Sequence, residues 1–458
     1  MHIHGLLKHH HHNTDRDMTE GNIARHLLLF AVPLLIGNIF QQLYNTIDSI
    51  FIGNFVGKQA LAAVGGSGPI TMLFISVFSG LASGAGVIIS GYYGAKNEKG
   101  LRDAVQTTYT FMLGLSVLLT VLGVAFTPIL LRLMDTPEDV FDQALVYLKI
   151  YFWGVSGLLM YNAGAGILRA VGDSRKPLNI LIITTLLNIV LDYVFIVPLN
   201  MGIAGAAYAT IISQFISAVL VFIVLARTKA SYRVDPLGFK ICRPELRSIT
   251  RIGMPTALQT AITAFSNVFV LSYINAFGSS YMAGWSAYLK IDSFAIQPVM
   301  SLSIAITTFV GQNLGAGKEE RVNKTPYYGL AMAAVILTLT ITPVILFAPQ
   351  LVSLFGTDPE LIECGSFFIR TISPCYAAFG INQVYRGMLS GKGDTKTGMF
   401  IMLFSFVLFR QLYLLVVDKL NLGIVAVSYG YPVGWAVCAV IFLFYYHTVG
   451  KNVNKLTN

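Results

Sequence analysis

The chain has 458 residues, 55% of them hydrophobic and only 12% charged. A soluble protein carries about twice that charged share, so a water-soluble globule is excluded and a polytopic membrane protein is indicated. The formal net charge of +9 does not argue for nucleic acid, because the basic residues lie in short loops between apolar runs. No HExxH, P-loop, GxSxG or Cys–His pairing argues for an enzyme or an ATP-driven pump.

Residues 1–17, "MHIHGLLKHHHHNTDRD", hold six of the eight histidines. They read as a tag or upstream extension, with a His-rich metal tract as the alternative. Met18 is a reasonable natural start, and no cleavable signal peptide is visible. A spanning helix needs roughly 20 apolar residues. Twelve segments meet that: 26–56, 59–93, 102–134, 139–169, 177–198, 203–227, 246–277, 281–314, 322–354, 360–390, 397–417 and 423–447. Gly, Pro and Asp punctuate the short connections, as in "MDTPED" and "VPLNMG". The one long connection, 228–245, divides an N-lobe (18–227) from a C-lobe (246–458).

Lys and Arg set the expected orientation. One set of loops and helix margins carries Arg25, Lys96, Arg175, Arg243, Lys318, Lys392, Lys451 and many others, Arg169 and Arg386 among them. The alternate set carries only Lys58, Arg132 and Lys419. Both termini are therefore expected in the cytoplasm. Cys242, Cys364, Cys375 and Cys438 show no metal-ligand spacing and read as small apolar fillers.

The two halves repeat. Gly94 answers Gly315, Thr136 Thr357, Lys149 Arg370, Gly172 Gly393, Gly202 Gly423 and Tyr208 Tyr429, every pair 221 apart. Pro33 and Pro255 slip by one. Six spans per unit return the chain to the same side, so the halves are parallel repeats about an axis along the membrane normal. The expected fold is an all-α membrane protein of twelve helices in two six-helix lobes. That is the architecture of an alternating-access carrier.

Polar residues within the spans mark a site. Asp48, in "YNTIDSIF", lies about 13 Å below the outer end of the first span; Asp192 and Thr210 lie about 9 and 12 Å below the same surface on the fifth and sixth. Gln41, Asn45 and Asp48 follow helical spacing, as do Thr184, Asn188 and Asp192. Intramembrane carboxylates mark functional sites. Two close carboxylates cannot both stay ionised without a cation or a shared proton, and the oxygens here suit either Na⁺ or H⁺. A backbone cap for Asp48, and plain interhelical hydrogen bonds for Asn188 and Thr210, are the structural alternatives.

"PLLIGNIFQQLYNTIDSIFIG", "GYYGAKNEKG", "RAVGDSRKP" and "VGQNLGAGKEER" resemble the multidrug and toxic compound extrusion family, in particular its DinF-like bacterial branch. The likeness runs from about residue 19 to about 450. It implies twelve helices in two lobes and a monomeric antiporter of the bacterial inner membrane that exports organic cations against Na⁺ or H⁺, with no cofactor. It also implies a first-lobe cation site at Asp48, Asn188, Asp192 and Thr210. The acids of the other branch's second-lobe site are absent: Val270 and Tyr413 stand at the repeat positions of Asp48 and Asp192.

Lys290, Asp292 and Arg410 are the charges inside the second half, with Asp292–Arg410 the expected cross-helix pair. Tyr44, Tyr161, Trp285, Met300 and Tyr385 are candidates for a substrate cavity, by stacking on flat lipophilic cations, with ordinary packing as the alternative. A flippase for a lipid-linked oligosaccharide or peptidoglycan precursor is the competing transporter reading. It is disfavoured by twelve rather than more spans and by acidic rather than basic intramembrane residues.

Overall fold

The computed structural model describes residues 17–134 and 136–454. Among them every regular element is helical. Helices 1 to 6 are Ile23–Phe51, Lys58–Gly94, Glu98–Leu133, Glu138–Ala170, Arg175–Ile196 and Gly202–Arg227. Helices 7 to 9 are Arg243–Asn275, Ser279–Gly315 and Glu319–Leu346. Helix 10 comes in two pieces, Pro359–Ile372 and Tyr376–Gly391, around a 3₁₀ turn at Ser373–Cys375. Pro374 causes the break: it has no N–H to give, and its ring obstructs the preceding turn. Helix 11 runs from Thr395 to Lys419 through a π turn at Phe404–Phe409, and helix 12 from Gly423 to Gly450. Eleven of these are long and apolar enough to cross a membrane unbroken. Broken helix 10 is the twelfth span, expected at 360–390.

The repeat is visible in the backbone. Left-handed residues come in pairs 221 apart: Gly57 and Gly278, Lys96 and Gly317, Gly172 and Gly393, Asn200 and Asn421, Gly202 and Gly423. Each ends one helix or opens the next, and Gly and Asn tolerate that conformation best. Lys96 (φ 53°) holds it with a side chain where its mate is glycine.

Helices 1 and 7, first in their lobes, each begin on the opposite lobe. Ile23, Leu27, Phe30 and Leu34 of helix 1 belong to the buried cluster of the second lobe, whereas Asp48 lies among first-lobe helices. Ile249 and Ile252 of helix 7 pack into the first lobe, whereas Val270 and Ile274 pack into the second. The expected division at 18–227 and 246–458 is thus crossed at both starts, because an apolar run does not specify which neighbour covers it.

The lobes join in the half that carries both chain ends. A Cβ on Gly84 would sit 2.5 Å from the Gly253 nitrogen. One on Gly94 would strike the Gln312 carbonyl, and one on Gly315 the Gly91 carbonyl. Gly91 and Gln312 are themselves repeat mates, so this contact is reciprocal about the pseudo-twofold axis. Toward the other face, Gly65, Gly66 and Gly68 of helix 2 meet nothing within 4 Å.

Two segments bind this face further. Met18 is fully buried: its N–H donates to Gln312 Oε1 (3.1 Å), and its carbonyl accepts from Asn313 (3.2 Å) and Arg321 (3.1 Å). Asp17, assigned from sequence to a tag or upstream extension, accepts from the Thr19 N–H (2.9 Å) and hydroxyl (2.6 Å) and so belongs with the Met18 segment. The rest of that extension lies outside the described residues. The 228–245 connection lies against helix 3. Asp235 N–H donates to Gln106 (3.0 Å), Cys242 N–H to Thr107 (2.9 Å), and Lys240 pairs with Asp103 (3.0 Å).

Candidate functional site

Helices 1, 5 and 6 bring four of the polar residues singled out above into one cluster inside the first lobe. Asp48 and Thr210 are almost fully buried, and Asn188 and Asp192 are fully so. Thr210 Oγ1 donates to Asp48 Oδ2 (3.3 Å). The Asn188 amide lies between the two acids; with its nitrogen turned toward them it donates to Asp48 Oδ1 (3.0 Å) and to Asp192 Oδ2 (3.3 Å). The two carboxyl groups are themselves hydrogen-bond neighbours. Carboxylates only accept, so direct contact between them needs a proton on one or a cation between them. Asp192 Oδ1 is buried with no donor facing it.

Below the cluster, one turn toward the joined face, is a cavity of about 40 Å³ between helices 1, 4, 5 and 6. That is room for more than one water. Gln41, Tyr44, Tyr161 and Thr184 line it, as do Ser213, Gln214 and Ser217, which were not singled out from sequence. Ser217 donates to Thr184 Oγ1 (2.8 Å), and the Ser213 hydroxyl and Gln214 Oε1 are buried without a protein partner. Thr210, Ser213 and Ser217 follow i, i+3, i+7 along helix 6, the same stripe signal that was read on helices 1 and 5. Asn45 falls outside this group and is exposed. It stands about 100° round helix 1 from Tyr44, at the edge of the face that carries Gln41 and Asp48.

The second lobe departs from expectation. Arg410 is buried but forms no ion pair with Asp292 among the described residues. Its Nη2 donates to Ser266 Oγ (2.8 Å) and Asn267 Oδ1 (2.9 Å), and the guanidinium sits 4.8 Å from the Tyr431 ring centre. Neutral oxygens and a ring face satisfy the charge instead of a carboxylate. Asp292 has the Tyr288 phenol, one turn away, as its neighbour, and Lys290 lies over Phe355.

Of the aromatic candidates, Tyr44 and Tyr161 line the first-lobe cavity, Tyr161 also donating to the Pro177 carbonyl (3.0 Å). Trp285 is core: it packs on Tyr288, Phe368 and Tyr431. Tyr385 is also core, packed on Tyr446 and 3.5 Å from His447 Nε2. Met300 packs against the same buried cluster. A large aromatic surface is worth more buried within a lobe than left for a ligand.

Chemically, then, the first lobe presents two carboxyl groups that must share a proton or a cation, two neutral donors that orient them, and a small polar chamber alongside.

Comparison with known proteins agrees with this architecture. The family model MatE matches twice, at residues 33–194 and 255–413, once in each half. The chain is 31% identical over 438 residues to the "Probable multidrug resistance protein YoeA" of Bacillus subtilis, covering 94% of this chain and 95% of that one. It is 28% identical over 399 residues to the "FAD transporter" of Shewanella oneidensis, covering 84% and 86%. A solved structure described as "Outward-facing conformation of a multidrug resistance MATE family transporter of the MOP superfamily" superposes with a TM-score of 0.88 at 25% identity, over 94% of this chain and 97% of that one. A twice-matched family model, a repeat written into the backbone and relatives aligned along nearly the whole chain leave one assignment: this is a multi-pass cell-membrane protein of the MatE (multidrug and toxic compound extrusion) family, a multidrug efflux transporter rather than an enzyme.

Proposed function

We propose that the chain is a monomeric antiporter that exports amphipathic drugs, organic cations among them, by alternating access, driven by a cation bound at Asp48 and Asp192. The observation that supports this is the buried Asp48–Asn188–Asp192–Thr210 cluster. Among the described residues no lysine or arginine pairs with either acid, so an exchangeable ion is the natural source of neutralisation. The carboxyl, amide and hydroxyl oxygens of the cluster suit either H⁺ or Na⁺. With both termini in the cytoplasm, as the basic loops imply, lobes joined on that face make this the outward-open state. Cation uptake then alters how helix 1 sits against helices 5 and 6, and helix 1 carries the change to the second lobe.

The test is ethidium efflux from proteoliposomes with pH and Na⁺ gradients imposed separately. Asp48→Asn and Asp192→Asn should each abolish gradient-driven efflux in protein that still folds. Asn188→Ala and Thr210→Ala should shift its ion dependence and keep transport. Wild-type coupled efflux from Asp48→Asn would place the coupling site elsewhere. Whichever gradient drives efflux identifies the ion; efflux under neither would overturn the antiport reading.

A further inference from the structure

A second cavity, of about 360 Å³, lies between the lobes in their joined half, bounded by helices 2, 4, 7, 8 and 10. Its charged lining residues are Arg169 of helix 4 and Arg386 of helix 10, one from each lobe; among the described residues no Asp or Glu lines it. The sequence reading counted both arginines among the basic margins that set topology, but the structure places them inside. Neither guanidinium has a carboxylate within 4 Å among the described residues. The neutral part of the wall is polar, with Asn162, Thr256, Thr307 and Thr308 among its residues.

Two like charges facing one chamber within a membrane protein are costly unless an anion joins them. Arginine is the residue suited to that role: its planar fork matches the oxygens of a carboxylate or phosphate. The pair also respects the repeat. Arg169 and Arg386 are 217 apart, four short of the 221 that relates the lobes. Four residues are about one helical turn, so the two arise from equivalent faces of the fourth helix of each lobe. Such an arrangement lets the two guanidinia approach one ligand from opposite sides of the pseudo-twofold axis, and lets movement of the lobes change their separation.

We propose that this chamber binds the anionic group, phosphate or carboxylate, of an amphipathic substrate, so that the exported range includes molecules bearing a negative charge. The volume is at the small end for ligand pockets. It takes the charged head and part of a drug-sized body, the remainder extending toward the unjoined half. This rests on the reading that substrates pass between the lobes.

The test uses the full chain in phosphatidylcholine nanodiscs and two fluorescent flavins, riboflavin and flavin mononucleotide, which differ by one phosphate. The phosphorylated flavin should bind at least about tenfold more tightly. Arg169→Gln and Arg386→Gln should each remove about tenfold of its affinity, as expected for loss of a charge-assisted hydrogen bond, and leave riboflavin within about twofold. Arg→Lys variants, which keep the charge and lose the fork, should fall between, and they decide the matter if a Gln variant fails to fold. Equal binding of the two flavins, or undiminished binding of the phosphate by folded variants, would overturn the proposal. So would displacement of the nucleotide by added phosphatidylglycerol, which would give the pair to a lipid headgroup. Ethidium flux under H⁺ and Na⁺ gradients separates the two readings. Arginine-dependent binding without any flux leaves this site standing and fells the transport reading. Flux with arginine-independent binding does the reverse.

Discussion

Arg410 carries a full charge among Ser266, Asn267 and Tyr431, and its stability should depend on them and not on Asp292. Replacing it by Met strands two buried acceptors, at a cost of ~2–4 kcal/mol. Asp292→Asn should cost ~1 kcal/mol or less, and the two losses should add within about 0.5 kcal/mol, as for residues that share no bond. Thermal melts of the two single variants and the double variant supply the cycle; a coupling well above that would restore the ion pair read from sequence. Lys392, outside the spans between helices 10 and 11, offers a pH test. It is almost wholly buried, donating to the carbonyls of Gly450 (3.0 Å) and Lys451 (2.7 Å) below the Tyr446 ring. Burial lowers its pKa from 10.5 to about 8. Between those values the unfolded chain holds a proton that the folded one does not, so this residue makes stability rise as pH rises through that window. Melting curves at pH 8 and pH 10 should show that rise in the native protein and lack that part of it in Lys392→Met.

At the level of elements, helix 1 deserves the closest test, because it spans two environments. Between its second-lobe start and its first-lobe end, Asn38 Nδ2 donates to Gln297 (3.3 Å) and Ser301 (3.3 Å) across the lobes, five residues from Pro33, where a helical hydrogen bond is missing. Asn38→Leu removes the cross-lobe tie but leaves Asp48 and its partners in place. Transport should slow several-fold, while the pH at which efflux is half-maximal stays fixed; a shifted pH midpoint would mean that Asn38 belongs to the ion site. Most elements could be read from sequence, since long apolar runs ended by Gly, Asn and Asp have few alternatives. The break at Pro374 was missed because hydrophobicity continues unbroken through "FFIRTISPCYAAFG". Asp48, Asn188, Asp192 and Thr210 stood out because polar groups in a span are costly wherever they lie. Partner choice was not legible. Arg410 and Asp292 are opposite charges in one half, and only the packing shows that neutral oxygens reached the guanidinium first. Likewise Arg169 and Arg386 lie near helix ends, where basic residues ordinarily face water.

For the whole molecule, the joined face is set by residues that lack side chains. Gly84→Val would push branched carbons into the Gly253 backbone, where the approach is already 2.5 Å for a single carbon. Neither backbone can yield without parting helices 2 and 7. The variant should therefore open the joined face, and spin-label distances across it, in nanodiscs, should lengthen on average relative to the native protein. Unchanged distances would show that the lobes meet by other means.

The exchange of helix starts between lobes bears on how such a molecule could be assembled. Each half carries, as its first helix, a segment whose opening turns pack on the other half, and the 228–245 connection, bonded to helix 3 of the first lobe, joins them. Cut there, the halves amount to a swapped heterodimer. Fragments 17–235 and 236–454 made in one cell should find each other and insert as a working pair. Either made alone should expose Leu27 and Phe30, or Ile249 and Ile252, and be degraded. The gene is in this sense two genes already, held in one reading frame.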